Sequence, residues 1–265
     1  MEDMLDTETL SEKMKRFESE LDVKLQVKTP VIIRIDGKAF HTFTNGLEKP
    51  FDKDLSEAMQ YTALKIAEEI QNVKFIYSQS DEINILLTDW DNLNTDSWFN
   101  YRIQKLVSVS ASMTTSLFNK KLNEITSNYW SRMMARDIPY DDEKYYTNKY
   151  ELWKSKKFKA LFDSRAFNMP KEEVSNYFLQ RYMDAKRNSV LALAHNIFTQ
   201  SELENVNVQD MIAKIKEKSE VDYMKLPSIQ KVGFAVYKDE NNKWKLDLEV
   251  PDIYENRDYV EKWLK

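Results

Sequence analysis

The chain has 265 residues, 42% hydrophobic and 31% charged, which is enough apolar material for one large α/β unit or two joined units and lies away from disordered compositions. A net charge of −5 argues against coating nucleic acid by bulk electrostatics, yet leaves room for a local basic groove, because affinity for a polyanion rests on the few cations that meet phosphates. With no cysteine there are no disulfides, thiolate metal sites or thiol nucleophiles, and three glycines are too few for Walker, Rossmann or kinase-type phosphate loops.

Thr9, Leu10, Ser11 and Glu12 have capping-box spacing and open a charged, weakly amphipathic helix reaching about Leu21. The run Val31 to Ile35 predicts a buried strand that ends in a turn at Asp36 and Gly37. Leu55, Ala58, Met59, Thr62 and Ile66 recur at helical spacing between Asp54 and Ile70, the pattern of a helix lying on a sheet. Val73 to Ser78 and Ile83 to Leu87 predict two strands, joined by Gln79, Ser80, Asp81 and Glu82, whose side chains support a turn without glycine. A long helix is expected from about Ser97 to Ile125, with Phe99, Ile103, Leu106, Ser110, Met113 and Leu117 facing a core and Arg102 and Lys105 on its polar flank. Ala160 to Asn168 predicts another strand. After Pro170 the chain reads as mostly helical to about Lys218, with short strands near Val232 to Tyr237 and Trp244 to Leu248.

The order β, α, ββ, α, β is the split βαβ of a ferredoxin-like α+β fold. With no repeat or linker, the expected organisation is a unit over 1–168 and a mostly helical part with some β structure over 169–265 packed on it. An acidic N-terminus and the lack of a membrane-length apolar run point to a cytoplasmic protein with no membrane partner.

In this arrangement the end of the first strand and the tip of the hairpin can meet, bringing Asp36 and Asp81 together. Paired hard oxygens that leave water positions free suit Mg²⁺, and two such ions can serve phosphoryl transfer. The competing reading is that both aspartates simply end strands, as aspartates commonly do in turns. Lys38, His41 and Lys49 supply positive charge where a triphosphate would lie, and Phe40 offers a ring face for a base. Arg34, in an otherwise apolar strand, needs a partner such as Asp36 or a phosphate. Arg102, Lys105 and Arg165 would extend the anionic site or form ordinary ion pairs. The stretch from Tyr140 to Phe158 interleaves Lys144, Lys149, Lys154, Lys156 and Lys157 with Tyr145, Tyr146, Tyr150 and Trp153, which suits RNA phosphates and unpaired bases as well as it suits an exposed helical insert.

Arg34-Ile35-Asp36-Gly37-Lys38-Ala39-Phe40-His41 and Tyr77-Ser78-Gln79-Ser80-Asp81-Glu82 together resemble the histidine-tRNA guanylyltransferase family and its wider group of 3′-to-5′ polymerases. The resemblance continues through Lys49 to Asp52, Trp98 to Lys105, Phe162 to Arg165 and Gln180 to Ser189. It implies a polymerase/cyclase-like palm in which Asp36, the Gly37 carbonyl and Asp81 hold two Mg²⁺ ions and Asp36, Asp81 and Glu82 are catalytic. The implied nucleotide-binding residues are Asp36 to His41, Lys49, Ser80, Asp81, Arg102, Lys105 and Arg165. The implied substrates are tRNA, ATP and GTP or other nucleoside triphosphates, and the implied assembly is a homotetramer.

This chain departs from the pattern in places. Phe51 stands where the family has asparagine, and Tyr101-Arg102 replaces paired arginines. In Arg181 to Ser189, Lys186 replaces a histidine and Ser189 an asparagine, which looks like the bacterial, archaeal and viral-type branch associated with templated 5′-end repair. Lys186, Arg187 and Asn188 are then the tRNA-binding positions. The alternatives are single-G addition to histidine tRNA, another palm enzyme such as a nucleotide cyclase, and a non-catalytic RNA-binding palm.

Overall fold

The computed structural model describes residues 8–265 apart from 93, 138–141 and 220; Tyr140 and Asp141, at the start of the expected insert, lie outside the described residues. The elements run α1 (Leu10–Ser19), β1 (Val31–Gly37), α2 (Phe40–Phe43), α3 (Lys53–Glu69), β2 (Val73–Gln79), β3 (Glu82–Leu87), α4 (Ile103–Met134), α5 (Glu143–Lys156), β4 (Phe162–Asn168), α6 (Val174–Ile197), α7 (Val208–Ser219), α8 (Ser228–Val232), β5 (Phe234–Lys238), β6 (Trp244–Asp247) and α9 (Asp258–Glu261). All six strands form one sheet in the order β4-β1-β3-β2-β5-β6, every neighbouring pair antiparallel. The result is a mixed α/β fold in which β5 and β6, from beyond residue 169, continue the sheet begun by the first half.

Strand alternation divides the sheet into two faces. Val31, Ile33, Ile35, Ile83 and Ile85 point to one, where they pack with Ala58, Ile66, Leu106, Phe118 and Trp153 from α3, α4 and α5. Ile32, Phe75, Tyr77 and Leu86 point to the other, where Val174, Phe178 and Tyr182 of α6 cover them together with Ile253 and Val260. This second cover stops short of the ends of β1 and β4, so the same face continues from an apolar, covered half into a charged half carrying Arg34, Asp36, Asp163 and Arg165. Beyond the sheet, the C-terminal half of α6 builds a smaller core with α7 through Val190, Leu193, Met211 and Ile215.

Local signals explain most boundaries. Thr9 and Glu12 form the expected capping box of α1. Asp52 caps α3 by accepting from the amides of Asp54 and Leu55, two residues before the predicted start. The long helix differs from expectation at both ends: Phe99, Asn100 and Tyr101 take left-handed φ of 50–52°, so α4 begins at Ile103 and then runs on to Met134. Its buried stripe is Leu106, Ser110, Thr114, Phe118, Leu122 and Ile125, leaving Met113 and Leu117 half-buried and Phe99 exposed. The expected stripe holds at Leu106 and Ser110, whose hydroxyl bonds that of Ser164 at 2.8 Å, and drifts beyond them because buried polar residues are satisfied there: Thr114 donates to the Ser110 carbonyl and Asn119 to the Ala160 carbonyl, each at 2.8 Å.

The candidate active site

Strand β1 delivers Asp36 to the open half of the charged face, and the β2-β3 turn delivers Asp81 beside it. That turn closes on Ser80 at φ 50°, whose hydroxyl donates to the Asp81 carboxylate at 3.0 Å. Gly37 is what lets the two aspartates converge. A Cβ built there would stand 2.6 Å from Asp81 Oδ2 and 2.3 Å from the Phe40 ring, closer than side-chain carbons approach anything. Burial raises the pKa of both aspartates. At Asp36 the Arg34 guanidinium opposes this and Glu82 and Asp163 add to it. At Asp81 the Ser80 hydrogen bond opposes it and Asp36 and Glu82 add to it. Such mutual repulsion between half-buried carboxylates is relieved by a cation.

The register sets Asp163 opposite Asp36 and Arg165 opposite Arg34, so β4 adds a second row of alternating charge. Arg165 is exposed and 3.5 Å from Asp163. After Gly37 the chain turns through Ala39 at φ 54° into α2. Among the described residues, the amides of Ala39, Phe40 and His41 donate to no protein acceptor, while Lys38 and His41 extend into solvent. The stretch is thus a run of N–H groups without protein acceptors among the described residues, next to the carboxylate pair.

Several expected site residues have other roles. The Phe40 ring is 4% exposed and packs among Phe43, Phe118 and Phe162 at 4.9–5.7 Å, so it stacks in the core and has no face for a base. Glu82 is buried with both oxygens taken: Arg34 at 2.5 Å, Asn84 at 2.8 Å and Arg181 of α6 at 3.5 Å. Tyr177 donates to Asn84 in turn. Glu82, expected to be catalytic, therefore ties β1, β3 and α6 together, with its carboxylate oxygens engaged by Arg34, Asn84 and Arg181. Arg102 forms a two-pronged pair with Asp22 at 2.6 and 2.7 Å. It lies at the opposite end of the sheet, because α4 runs antiparallel to β4 with Ser110 at Ser164, about 12 Å along the helix axis. Lys105, exposed near the same end of α4, is likewise away from the aspartates. Lys49 is exposed on the loop before Asp52.

Within the insert, Lys149 and Trp153 are buried rather than offered to RNA. Lys149 pairs with Asp52 at 2.8 Å, Glu48 at 3.1 Å and Asp54 at 3.3 Å, and Trp153 donates to Asp54 at 2.8 Å. This cluster anchors α5 to the start of α3. Lys186, Arg187 and Asn188 are exposed on α6, five to seven residues past Arg181 and so roughly 8–11 Å further along the helix. Lys186 lies 3.7 Å from Asp252 and Arg187 3.2 Å from Asp184.

Sequence reasoning missed Asn84, Asp163, Tyr177 and Arg181. Only Arg181 carried a signal: an arginine three residues before Asp184 on the apolar side of a helix, whose Nε is buried with no partner, as is that of Arg34.

The profile described as tRNAHis guanylyltransferase (Thg1) matches residues 11–170. A bacterial tRNA(His) guanylyltransferase (Thg1)-like protein solved in complex with ATP is 38% identical, with 97% of this chain and 99% of that one covered and a TM-score of 0.79. A bacterial Thg1-like protein in complex with GTP is 37% identical over 96% and 98% of the two chains, TM-score 0.74. An uncharacterised protein of Acanthamoeba polyphaga mimivirus is 29% identical over 87% of this chain and 77% of its own length. tRNA(His) guanylyltransferase 2 of Arabidopsis thaliana is 25% identical over 85% of this chain, which spans 38% of that longer protein. The chain is therefore a nucleotidyltransferase of the tRNAHis guanylyltransferase (Thg1) family.

Proposed function

We propose that this enzyme adds nucleotides to the 5′ end of tRNA in the 3′-to-5′ direction, choosing each by pairing with the opposing strand. The observation that carries the reading is the convergence of Asp36 and Asp81 across Gly37 on the open half of the sheet. The strand order β4-β1-β3-β2 is that of a ferredoxin-like palm, which supports the polymerase comparison.

The residues fit Mg²⁺. Two half-buried carboxylates with raised pKa, plus a glycine carbonyl free of side-chain obstruction, form a hard-oxygen set that keeps room for water and phosphate. Asp36, Asp81 and the Gly37 carbonyl would hold two ions, which supply charge neutralisation at the phosphates and a lowered pKa for an attacking hydroxyl. The protein does the rest. The free amides of Ala39, Phe40 and His41 with the Lys38 ammonium receive a triphosphate, and Arg165 meets a further phosphate. Glu82, fixed by Arg34 and Arg181, keeps the hairpin tip at its distance from β1. A 5′-monophosphate end is first adenylylated by ATP with loss of pyrophosphate. The 3′-hydroxyl of the incoming nucleotide then attacks the 5′ phosphorus and AMP leaves; a 5′-triphosphate end loses pyrophosphate directly. Catalysis of this kind consists mainly of positioning and electrostatic stabilisation.

Template choice is favoured over anticodon reading by the exposed α6 stretch, where Lys186 and Arg187 offer phosphate contacts rather than donor and acceptor patterns matched to a base edge. Self-assembly is supported by α1, which buries none of its residues and leaves Leu10, Met14 and Phe17 exposed along one side. The test is incorporation of labelled nucleotide into tRNAs lacking a 5′ nucleotide, compared with full-length histidine tRNA. Complementary addition to truncated tRNAs of several identities, abolished in Asp36→Asn and Asp81→Asn, is expected. Strong preference for full-length histidine tRNA that vanishes when its anticodon is changed would overturn the repair reading.

A further inference from the structure

The segment that leaves α5 and enters β4 is strongly basic and lies outside the chemistry proposed for the aspartates. Between Glu151 and Asp163 there is no acidic residue and there are four lysines, Lys154, Lys156, Lys157 and Lys159. Lys156 donates to the Phe43 carbonyl and lies 5.4 Å over the Phe43 ring. Among the described residues Lys157 and Lys159 enter no ion pair, and the Lys157 ammonium lies 5.1 Å over the Phe158 ring; Lys159 adds to the burial that lowers the Lys156 pKa. Between these two lysines Phe158 is 64% exposed and takes φ 58°, a left-handed backbone that a bulky residue rarely adopts. Neither its burial nor its backbone preference explains a phenylalanine there, and strained exposed residues cluster at binding sites.

The segment lies against the active-site turn. Leu161 accepts from the Lys38 amide at 2.8 Å, and Phe162 is in register with Gly37. Phe158 is three residues before Leu161, at most about 11 Å of extended chain, so its ring is within about two nucleotide steps of the Asp36–His41 turn. It is also held firmly, since Lys149 and Trp153 fix α5 just upstream. Resting on the proposed function, we infer that Phe158, flanked by Lys157 and Lys159, is a stacking platform for the unpaired 3′ extension of the RNA whose 5′ end reacts. An RNA duplex with its 5′ terminus at the aspartates sends the opposing strand past that terminus, and its first unpaired base needs a flat apolar surface with cations for the adjoining phosphates. A ring with two ammonium groups outside any ion pair, one of them resting over the ring, supplies both.

Binding of an RNA hairpin with a short 3′ extension, against the same hairpin with a blunt end, tests this without turnover. The wild-type protein should favour the extended hairpin by roughly 5- to 100-fold. Phe158→Gly, which relieves the left-handed backbone and so keeps the fold, should lose that preference, and Phe158→Trp should retain it. Lys157→Gln with Lys159→Gln should weaken binding and flatten the dependence of log affinity on log salt by about 1.4 for two single-strand phosphate contacts. Equal affinity of wild-type protein for both hairpins, or an unchanged preference in Phe158→Gly, would overturn the platform. So would a Phe158→Gly variant that raises KM for the incoming nucleotide while binding RNA normally, since the ring would then serve the nucleotide. Extension-dependent binding without nucleotide addition would sink the proposed function and leave the platform standing; addition without any dependence on Phe158 would do the reverse.

Discussion

Gly37→Ala probes the site with a single methyl group. Nothing in the backbone forbids alanine, since no left-handed φ is required at this strand position. The cost is steric. The new Cβ would fall about 1 Å inside ordinary contact with both the Phe40 ring and Asp81 Oδ2, given carbon contacts of ~3.5 Å. Phe40 has no space to retreat, being wedged between Phe43, Phe118 and Phe162. The Asp81 hairpin tip is the freer partner and must move. A shift of roughly 1 Å in a catalytic group costs about 100-fold in rate, and it exceeds the ~0.2 Å tolerance of a metal-ligand distance. Overpacking by one methyl costs ~1–3 kcal/mol in stability, which for a chain of this length lowers Tm by only about 2–5 °C. The expectation is thus a split: nucleotide addition down by about two orders of magnitude in a protein that still melts cooperatively near the wild-type temperature. Single-turnover kinetics on a 5′-triphosphate RNA together with thermal melting measure both halves. An alanine variant with near-normal kcat would refute the account of Gly37 as the point of closest approach.

Lys149→Met keeps the volume of a buried side chain but strips the counter-charge from Asp52 and Asp54, which are 1% and 6% exposed in their side chains. The loss should be about 3–5 kcal/mol, or ~5–9 °C in Tm, lessened when Asp54→Asn is added; a drop under about 2 °C would mean the cluster is solvated. A pH experiment reads the aspartate pair. Because the folded-state pKa of Asp36 and of Asp81 is raised, protonation is favoured in the fold, so chelator-treated protein gains stability from these groups as pH falls through their raised values and loses it as pH rises. Asp81→Asn should remove part of that slope, and parallel Tm curves for wild type and variant would count against the coupling. Protons compete with Mg²⁺ for these carboxylates, so the Mg²⁺ concentration that gives half-maximal activity should rise as pH falls through their raised values.

How much was legible beforehand depended on the range of the interactions. Val31 to Ile35 announced a buried strand because its β-branched run has no other stable use, and Gln79 to Glu82 announced a turn through side chains that bond their own backbone. From those two facts the meeting of Asp36 and Asp81 followed. The stripe on α4 holds at Leu106 and Ser110 and drifts beyond them, because Thr114 and Asn119 are buried by hydrogen bonds, which a count of apolar residues passes over. Its start was misplaced because three successive left-handed residues contain no glycine. Phe40, Arg102 and Lys149 show the harder limit. Their types suited a nucleotide site or, for Lys149, an RNA contact, but which face of the sheet or helix they occupy is decided by partners far along the chain, such as Phe118, Asp22 and Asp52. The partners of Glu82 are hidden for the same reason, since Arg181 stands 99 residues away.

The family match ends at residue 170, yet β2 hydrogen-bonds to β5 over Phe75 to Ser78, and Tyr77 donates to the Val232 carbonyl. A chain stopped at 170 would leave β2 as a bare edge, with Phe75 and Tyr77 stripped of α6 and β5, an open template for sticking to the next molecule. It would also lose Arg181 from the buried Glu82 carboxylate. The portion that carries the aspartates is therefore not a separable module, and a minimal enzyme cut to the matched region would be expected to aggregate before it could be assayed.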